Sequence, residues 1–431
     1  MTGKEVMKWA NALQDKAVQD RRFLHQNAEV GFDLVKTKKY VWQRLTETGY
    51  QPKDCGKAGV IACVGRARKG KKAFLLRADM DGLPIKEQTA LPFACRSGNM
   101  HACGHDMHTS MLLCAAAVLK RFEKDLKGEV KLLFQPAEEI LQGAKDVIDA
   151  GVLQSPDVGG ALMMHVMTGV PMKTGCVVLP TAGIGAPSAD HFTIVVRGKS
   201  CHGSAPQNGV DASVISAHIL LATQTIVARE ISAMNPAVLT VGKILSGGAG
   251  NVISDRAELA GTIRAFDENA RDFIKKRLTE VASGIARAFR GKAKTVFTSG
   301  CPSLVNDGEI CRIASGALKE ILDEKSVILS SDLAGGGVEK RSGGSEDFAY
   351  ISRKVPSLML AIGAGDSEKG FSYPLHHPKT TFDENVLCLG ANEETAGQVA
   401  VRRRDKGDMG AIDADEFIKI VKEDIERKTA F

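Results

Sequence analysis

The alternation of short apolar runs with longer helical stretches constrains the fold of this chain most strongly. Residues 72–77, 129–134, 160–164 and 357–362 read as buried strands, and residues 105–124 read as a helix. This β-α-β rhythm is typical of a mostly parallel sheet that is covered on both faces. We therefore predict an α/β fold.

Carboxylates and a histidine come directly after three of these apolar runs. Asp79 and Asp81 follow the first run, Glu138 and Glu139 follow the second, and His165 follows the third. Open α/β sheets bind their ligands beyond the carboxyl ends of the strands. The five side chains are therefore expected to converge on one rim of the sheet.

The rhythm changes between about residues 188 and 298, where the predicted order becomes β-α-β-β-α-β. The strands are expected at 191–198, 237–246, 252–266 and 294–298. This order is that of a ferredoxin-like unit, and turn-forming Gly and Pro residues flank it. We predict a domain of residues 188–298 inserted into a larger domain made of residues 1–187 and 299–431.

Length and composition narrow the class of protein. A chain of 431 residues exceeds one ordinary core, so two domains are expected. The net charge of +6 is mild and only 5% of residues are aromatic, which argues against nucleic-acid binding. No run approaches the roughly 20 apolar residues of a membrane span. The ten scattered cysteines indicate reduced thiols in a cytoplasmic protein.

Residues 101–108 hold three of the ten histidines of the chain and predict a metal site. Cys103 and His105 flank Gly104, which lets the thiolate and the imidazole face one point. Both groups are good ligands for zinc-class metals, and a carboxylate ligand extends the choice to manganese. His165 and His376 would complete enough ligands for two ions.

The adjacent pair Glu138 and Glu139 suits two separate roles. One carboxylate can bind a metal while its neighbour accepts a proton from the attacking water. A rival reaction would use the Cys103 thiolate as nucleophile, with His105 or His101 as its base. That alternative leaves the glutamate pair unexplained, so metal-assisted hydrolysis is favoured.

Most of these residues have an ordinary structural explanation when taken singly. A lone buried histidine such as His165 is more often a satisfied core residue, and a lone Cys103 more often a small hydrophobe. His202 could be a surface-loop histidine, and Arg264 either an exposed strand residue or a bidentate partner of a substrate carboxylate. The structural explanations become improbable only for the cluster at the strand ends.

Seven ordered segments resemble a known family. They are residues 77–84, 101–108, 134–139, 198–206, 250–253, 344–348 and 375–378. The chain looks like a member of the N-acyl-amino-acid amidohydrolase group of metallopeptidase family 20, subgroup D. That group includes hippurate hydrolases, aminoacylases and plant auxin-conjugate hydrolases. The resemblance runs from about residue 23 to residue 391, and a helix is expected beyond it at 415–428.

The resemblance implies a zinc-peptidase-like catalytic domain with two divalent metal ions per subunit, which could be Mn, Zn, Co or Ni. It also implies that the inserted domain is a lid that often forms a homodimer. The implied ligands are Cys103, His105, Glu139, His165 and His376. Other branches carry a histidine where this chain has Asp79, which leaves the metal role of Asp79 open.

The resemblance also assigns roles to residues beyond the ligands. Glu138 would be the general base, and Asp81 would orient a ligand from behind. His202 would reach from a lid domain to stabilise the oxyanion, while Asn251 and Arg264 would contact the substrate.

The expected activity is hydrolysis of small N-acyl-L-amino acids by a metal-bound water, which releases a carboxylic acid and a free amino acid. One alternative is a dipeptidase or carboxypeptidase of the same family. A second is a catalytically silent binding or scaffold protein, against which the intact ligand set argues.

Overall fold

The computed structural model describes residues 3–66, 70–332, 344–389, 400–403 and 407–411. The chain divides into two compact units. The first comprises Met1–Gly183, Val305–Lys340 and Ile351–Phe431, and the second comprises Ile184–Leu304 and Arg341–Tyr350. The helix predicted at 415–428 lies outside the described residues.

The described residues form α-helices in both units. They are α1 (Gly3–Asn11), α2 (Gln14–Gln26), α3 (Val35–Glu47), α4 (His105–Arg121), α5 (Gly143–Asp149), α6 (Ala212–Thr225), α7 (Glu268–Ala288), α8 (Gly308–Ile321) and α9 (Ala349–Ser352). A π-helical turn, Ile226–Glu230, continues α6.

The first half of the chain contributes the strands β1 (Lys53–Cys55), β2 (Gly59–Gly65), β3 (Ala73–Asp79), β4 (Glu129–Gln135), β5 (Val158–Met167), β6 (Val177–Leu179), β7 (Gly183–Ala186), β8 (Ser188–Arg197) and β9 (Cys201–His202). The second half contributes β10 (Ala237–Ser246), β11 (Val252–Ile253), β12 (Arg256–Ala265), β13 (Lys292–Cys301), β14 (Leu304–Asn306), β15 (Val327–Leu329), β16 (Ser357–Gly363), β17 (Ala400–Arg403) and β18 (Gly407–Ala411).

The first unit is built on a mixed eight-stranded sheet in the order β1-β2-β4-β3-β5-β16-β6-β15. Its central strands β4, β3, β5 and β16 are parallel to one another, and antiparallel pairs lie towards both edges. The apolar runs became these central strands because both of their faces are covered, with Leu76, Leu132, Leu162 and Leu360 all buried. The predicted α/β fold is confirmed.

The second unit contains a four-stranded antiparallel sheet in the order β10-β12-β8-β13. This is the strand order of a ferredoxin-like unit, as predicted. Alternate residues of the sheet, such as Ile194 and Leu259, pack with Ile215 of α6 and Leu278 of α7 in a separate core. The bounds 188–298 of an inserted domain remain a prediction, because compact packing is not evidence of independent folding.

Three predicted elements differ from the structure. The amphipathic pattern of residues 5–26 predicts a single helix, but this helix is broken at Leu13, where ψ is 1°, and becomes α1 and α2. The strand expected at 252–266 divides, because Val252 and Ile253 pair with β9 while β12 pairs with β8 and β10. His165 lies inside β5 and not after it, because β5 extends to Met167.

One helical segment in the described part of the chain, Ala212–Glu230, is long and apolar enough to cross a membrane by length and composition alone. A helix in the core of a domain meets the same criterion. Here Ile215 and Ile219 are buried in the core of the second unit. Packing within the unit accounts for one face of the segment, since 33% of it is buried.

Candidate metal centre

The carboxyl ends of β3 and β4 bring Asp81 to the glutamate pair. The two strands are parallel, and Asp79 lies opposite Gln135. Beyond them, the backbone N–H of Glu138 donates to Asp81 Oδ1 at 2.9 Å and that of Glu139 to Oδ2 at 3.2 Å. One buried carboxylate therefore holds the loop that presents both glutamates.

The Cys103–His105 turn requires glycine at its centre. Gly104 has φ 90° and ψ 20°, which is left-handed backbone, and it directly precedes α4. A Cβ atom there would lie 2.3 Å from Val166 Cγ2. The turn leaves Cys103 Sγ 3.5 Å from His165 Nε2 and 3.2 Å from His376 Nε2.

The Nε2 atoms of two buried imidazoles face the centre because their Nδ1 atoms are committed elsewhere. His105 Nδ1 donates to the backbone oxygen of Asp81 at 2.7 Å, and His165 Nδ1 donates to that of Val166 at 2.7 Å. A neutral ring that donates through Nδ1 offers an Nε2 lone pair, which is what a metal requires. Such carbonyl partners also fix the ring orientation.

Glu139 lies between two of the histidines. Its Oε1 is 3.8 Å from His105 Nε2, and its Oε2 is 3.6 Å from His376 Nε2. Glu138 Oε2 is 3.9 Å from His105 Nε2. The buried atoms His105 Nε2 and Glu139 Oε1 have no hydrogen-bond partner among the described residues.

Four groups of ligand atoms in the described part of the first unit could each hold an ion, since the atoms of each group lie within 4.8 Å of one another. One of them is Asp79, His105 and His108. The other three use the glutamate pair and the predicted ligands. They are Cys103, His105 and His165; Cys103, Glu139 and His376; and His105, Glu138 and Glu139. Because Cys103 belongs to two groups, its thiolate could lie next to two ions. The residues therefore fit the divalent metal centre that the sequence predicts.

Electrostatics in the cluster favour a cation. Burial raises the pKa of Glu139 to about 7, raises that of the Cys103 thiol well above its usual range, and lowers that of His165 to about 3. Burial also opposes a charge on His105, but the Asp79 carboxylate and the contacts with Asp81 and Cys103 together outweigh it and raise the pKa of His105. A bound metal would stabilise the thiolate and carboxylate forms that burial alone disfavours.

Asp79 is occupied by other partners. Its Oδ2 accepts from Arg77 Nη1 at 2.7 Å, and its Oδ1 accepts from His108 Nδ1 at 2.6 Å. The backbone N–H of Val166 donates to His108 Nε2 at 2.9 Å, so both ring nitrogens of His108 are used. This network supports the ends of β3 and β5. Asp79 Oδ2 also lies 3.7 Å from His105 Nε2, and Asp79 stays among the candidate ligands together with His105 and His108.

The backbone around the site is strained at residues other than glycine. Ala137 and Leu141, on either side of the glutamate pair, have φ values of 57° and 56°, and His376 has φ 64°. Left-handed backbone at such residues costs on the order of 1–3 kcal/mol each and is concentrated at functional sites. The strained residues thus flank the glutamate pair, Glu138 and Glu139, or are themselves part of the cluster, as His376 is.

The other predicted site residues, His202, Asn251 and Arg264, belong to the second unit. The backbone N–H of Gly203 donates to the oxygen of Asn251 at 2.7 Å, which fixes the His202 and Asn251 loops together. His202 is exposed, and its Nδ1 accepts from the backbone N–H of Ser204 at 3.1 Å. Burial lowers the pKa of the Arg264 guanidinium, which donates to Ile263 O at 3.0 Å.

Sequence reasoning missed the buried charges that surround the ligand turn. Arg21, His25 and Asp106 form one such group: Arg21 Nε and His25 Nδ1 both donate to Asp106 Oδ2, at 2.8 and 2.9 Å. Of these three residues, only Asp106 stands out in the sequence, as an acidic residue in the first turn of α4. It lies within residues 101–108, which are interpreted as a metal site.

Residues 75–393 match the family described as peptidase family M20/M25/M40. A chain from a Bacillus subtilis dinuclear metal-binding peptidase of the M20 family superposes with a TM-score of 0.71 at 32% identity, covering 90% of this chain and 98% of that one.

Curated relatives include enzymes for two kinds of substrate. An N-acetylcysteine deacetylase of Bacillus subtilis is 35% identical over 88% of this chain and 95% of its own length. A hippurate hydrolase of Campylobacter jejuni is 36% identical over 88% of this chain and 95% of its own length. The thermostable carboxypeptidase 2 of Saccharolobus solfataricus is 35% identical over 88% of this chain and 93% of its own length.

Proposed function

Because this chain belongs to peptidase family M20/M25/M40, a family of hydrolases that act on amide or peptide bonds, we propose that it is a metal-dependent amidohydrolase of N-acyl-L-amino acids. Its products would be a carboxylic acid and a free amino acid. The observation that carries the proposal is the convergence of Cys103, His105, Glu139, His165 and His376 on one cluster, which is buried except at the half-exposed His376.

Two divalent ions held by these residues would polarise the scissile carbonyl and lower the pKa of water. The protein supplies the proton transfers. Glu138 takes the proton of the attacking water and passes it to the leaving amine, since its carboxylate lies beside His105 without bridging two imidazoles as Glu139 does. Asp81 keeps the pair in place through both backbone N–H groups.

The acylated-amino-acid substrate is supported by the relatives that are a deacetylase and a hippurate hydrolase. The carboxypeptidase relative, at nearly equal identity, favours a second candidate, a carboxypeptidase or dipeptidase. The roles of His202, Asn251 and Arg264, the homodimer and the cytoplasmic location remain predictions.

The test is amino-acid release from N-acetyl-, N-benzoyl- and indoleacetyl-amino acids, with unblocked dipeptides and N-blocked dipeptides alongside. Each substrate is assayed with added Mn²⁺ and again after chelation. We expect release from the acylated amino acids alone, lost on chelation and restored by metal.

Release only from peptides would overturn the proposed substrate class in favour of the peptidase alternative. Release that persists after complete chelation would contradict the metal-dependent chemistry itself. No release from any substrate would favour a binding or scaffold protein.

A further inference from the structure

Arg21 lies on the buried face of α2 and connects two segments that carry proposed metal ligands. Its guanidinium is 1% exposed. Its Nε donates to Asp106 Oδ2 at 2.8 Å, and its Nη1 donates to Glu384 Oε1 at 3.0 Å. Asp106 directly follows His105, and Glu384 comes eight residues after His376.

A second side chain binds the same carboxylate oxygen of Asp106. His25, one helical turn after Arg21, donates from Nδ1 to Asp106 Oδ2 at 2.9 Å, and its Nε2 lies 3.2 Å from Glu87 Oε1. The first turn of α4 is thus attached to α2 by two side chains through a single oxygen.

Stability alone does not explain the cluster of buried charged groups around Arg21, His25 and Asp106. Buried ion pairs seldom stabilise a fold more than apolar side chains of similar size would, because each charge loses its hydration. This cluster also keeps buried polar atoms without a hydrogen-bond partner in the described part of the chain: Arg21 Nη2, Asp106 Oδ1 and both ring nitrogens of His101. We therefore attribute these charges to the positions that they fix and not to a gain in the stability of the fold.

That geometry bears directly on the ligand turn. The left-handed Gly104 leaves little room, with Val166 and Phe382 in contact with its position, so α4 must begin at one place for Cys103 and His105 to face the cluster. A fork-shaped guanidinium with fixed donor directions can set such a register, whereas the point charge of a lysine cannot.

We propose that Arg21 is a positioning residue for the metal centre, which fixes the start of α4 through Asp106; its contact with Glu384 is shared with Arg22 and is not the link that sets the ligand turn. The inference rests on the proposed function, because it assumes that Cys103, His105 and His376 bind metal. It adds a residue of α2 that contacts no ligand itself.

Arg22 provides a matched control on the same helix. It also binds Glu384, with Nη2 2.6 Å from Oε2, but its side chain is 49% exposed and it makes no bond to Asp106 among the described residues. Both arginines also lie over the Phe93 ring. Arg22→Met therefore removes an arginine, a Glu384 contact and a ring contact without disturbing the start of α4.

The experiment compares wild type, Arg21→Met, Arg21→Lys and Arg22→Met, each first checked for native circular dichroism. The dissociation constant for Zn²⁺ is measured by competition with a chromophoric chelator. The thiolate-to-metal charge-transfer band of the Co²⁺-loaded protein reports the geometry around Cys103.

We expect Arg21→Met to weaken metal binding by about 10-fold to 100-fold, the range found when residues supporting a ligand are lost. Its Co²⁺ band should shift or weaken, and Arg21→Lys should recover only part of both. Arg22→Met should bind Zn²⁺ within about 3-fold of wild type. If Arg21→Met does not fold, Asp106→Asn removes the charge from the same link with little change in shape and is expected to weaken metal binding in the same direction.

A folded Arg21→Met or Asp106→Asn protein with the affinity and Co²⁺ spectrum of wild type would overturn the inference but leave the proposed function intact. Equal losses in the Arg21→Met and Arg22→Met proteins would also overturn it, since they would indicate a general effect of α2. Absence of metal binding by wild type would overturn the proposed function, and this inference with it.

Discussion

At the scale of single residues, Glu138 and Glu139 are neighbours in the chain with different surroundings. Glu139 lies 3.8 and 3.6 Å from the Nε2 atoms of His105 and His376, whereas Glu138 lies 3.9 Å from that of His105. The first arrangement suits a ligand between two other ligands. The second suits a base at the edge of the cluster.

This difference predicts different effects of the same substitution at the two positions. Glu138→Gln should retain its metals and lose turnover by roughly 10²-fold to 10⁴-fold, because only the proton acceptor is removed. Glu139→Gln should lose metal affinity as well, since an amide is a weaker ligand than a carboxylate. Metal content and kcat, measured on both proteins, separate the roles, and near-normal turnover by Glu138→Gln would refute the assignment.

At the scale of elements, the turn before α4 requires a glycine. Gly104 combines φ 90° with a neighbour 2.3 Å from the position of a Cβ atom. Gly98 has a similar φ of 95°, yet nothing lies within 4 Å of its Cβ position. The two residues thus share backbone strain and differ in the available space.

Gly104→Ala should therefore destabilise the fold by about 2–4 kcal/mol, from left-handed strain plus overpacking, and weaken metal binding. Gly98→Ala should cost about 1 kcal/mol and bind metal normally. Urea unfolding and metal titration of both variants make the comparison. Equal losses of stability would mean that the contact with Val166 does not govern the turn.

The N-terminus of α7 predicts a pH effect in the second unit. Burial raises the pKa of Glu268, but hydrogen bonds from Ser303 and Arg271 outweigh it, so the pKa is lowered. A carboxyl whose folded pKa is depressed stabilises the fold above its unfolded value of about 4.3, and that contribution is lost as pH falls through the folded value.

Glu268→Gln should accordingly lower the free energy of unfolding by on the order of 1 kcal/mol at pH 7. The difference from wild type should shrink as pH falls below about 4. Urea unfolding of the two proteins at pH 7 and at a pH below about 4 measures this difference. A difference that is constant with pH would show that the charge of Glu268 contributes nothing.

At the scale of the whole molecule, the sequence predicts the parts of the site that depend on strand ends. Asp81 and the glutamate pair follow parallel neighbours, so periodicity alone places them on one rim. His165 was expected after its strand but lies within it, because burial of β5 continues past the histidine. Apolar patterning does not reveal such an extension.

The remaining parts depend on contacts between distant segments. Arg21 meets Asp106 across 85 residues and Glu384 across 363. In the sequence, Arg21 reads as an ordinary surface charge of an amphipathic helix. No local pattern distinguishes it from Arg22, and only the packing of α2 against α4 makes one arginine buried and the other half-exposed.

The most direct test of the proposed metal centre is the number of Zn²⁺ ions bound per chain, counted by mass spectrometry of the metal-reconstituted protein after gel filtration. Cys103 belongs to two of the candidate ligand groups, so its replacement should affect both ions. We predict two ions per chain in wild type and fewer than one in Cys103→Ala. Wild type that binds no metal, or Cys103→Ala that binds as much as wild type, would contradict the account.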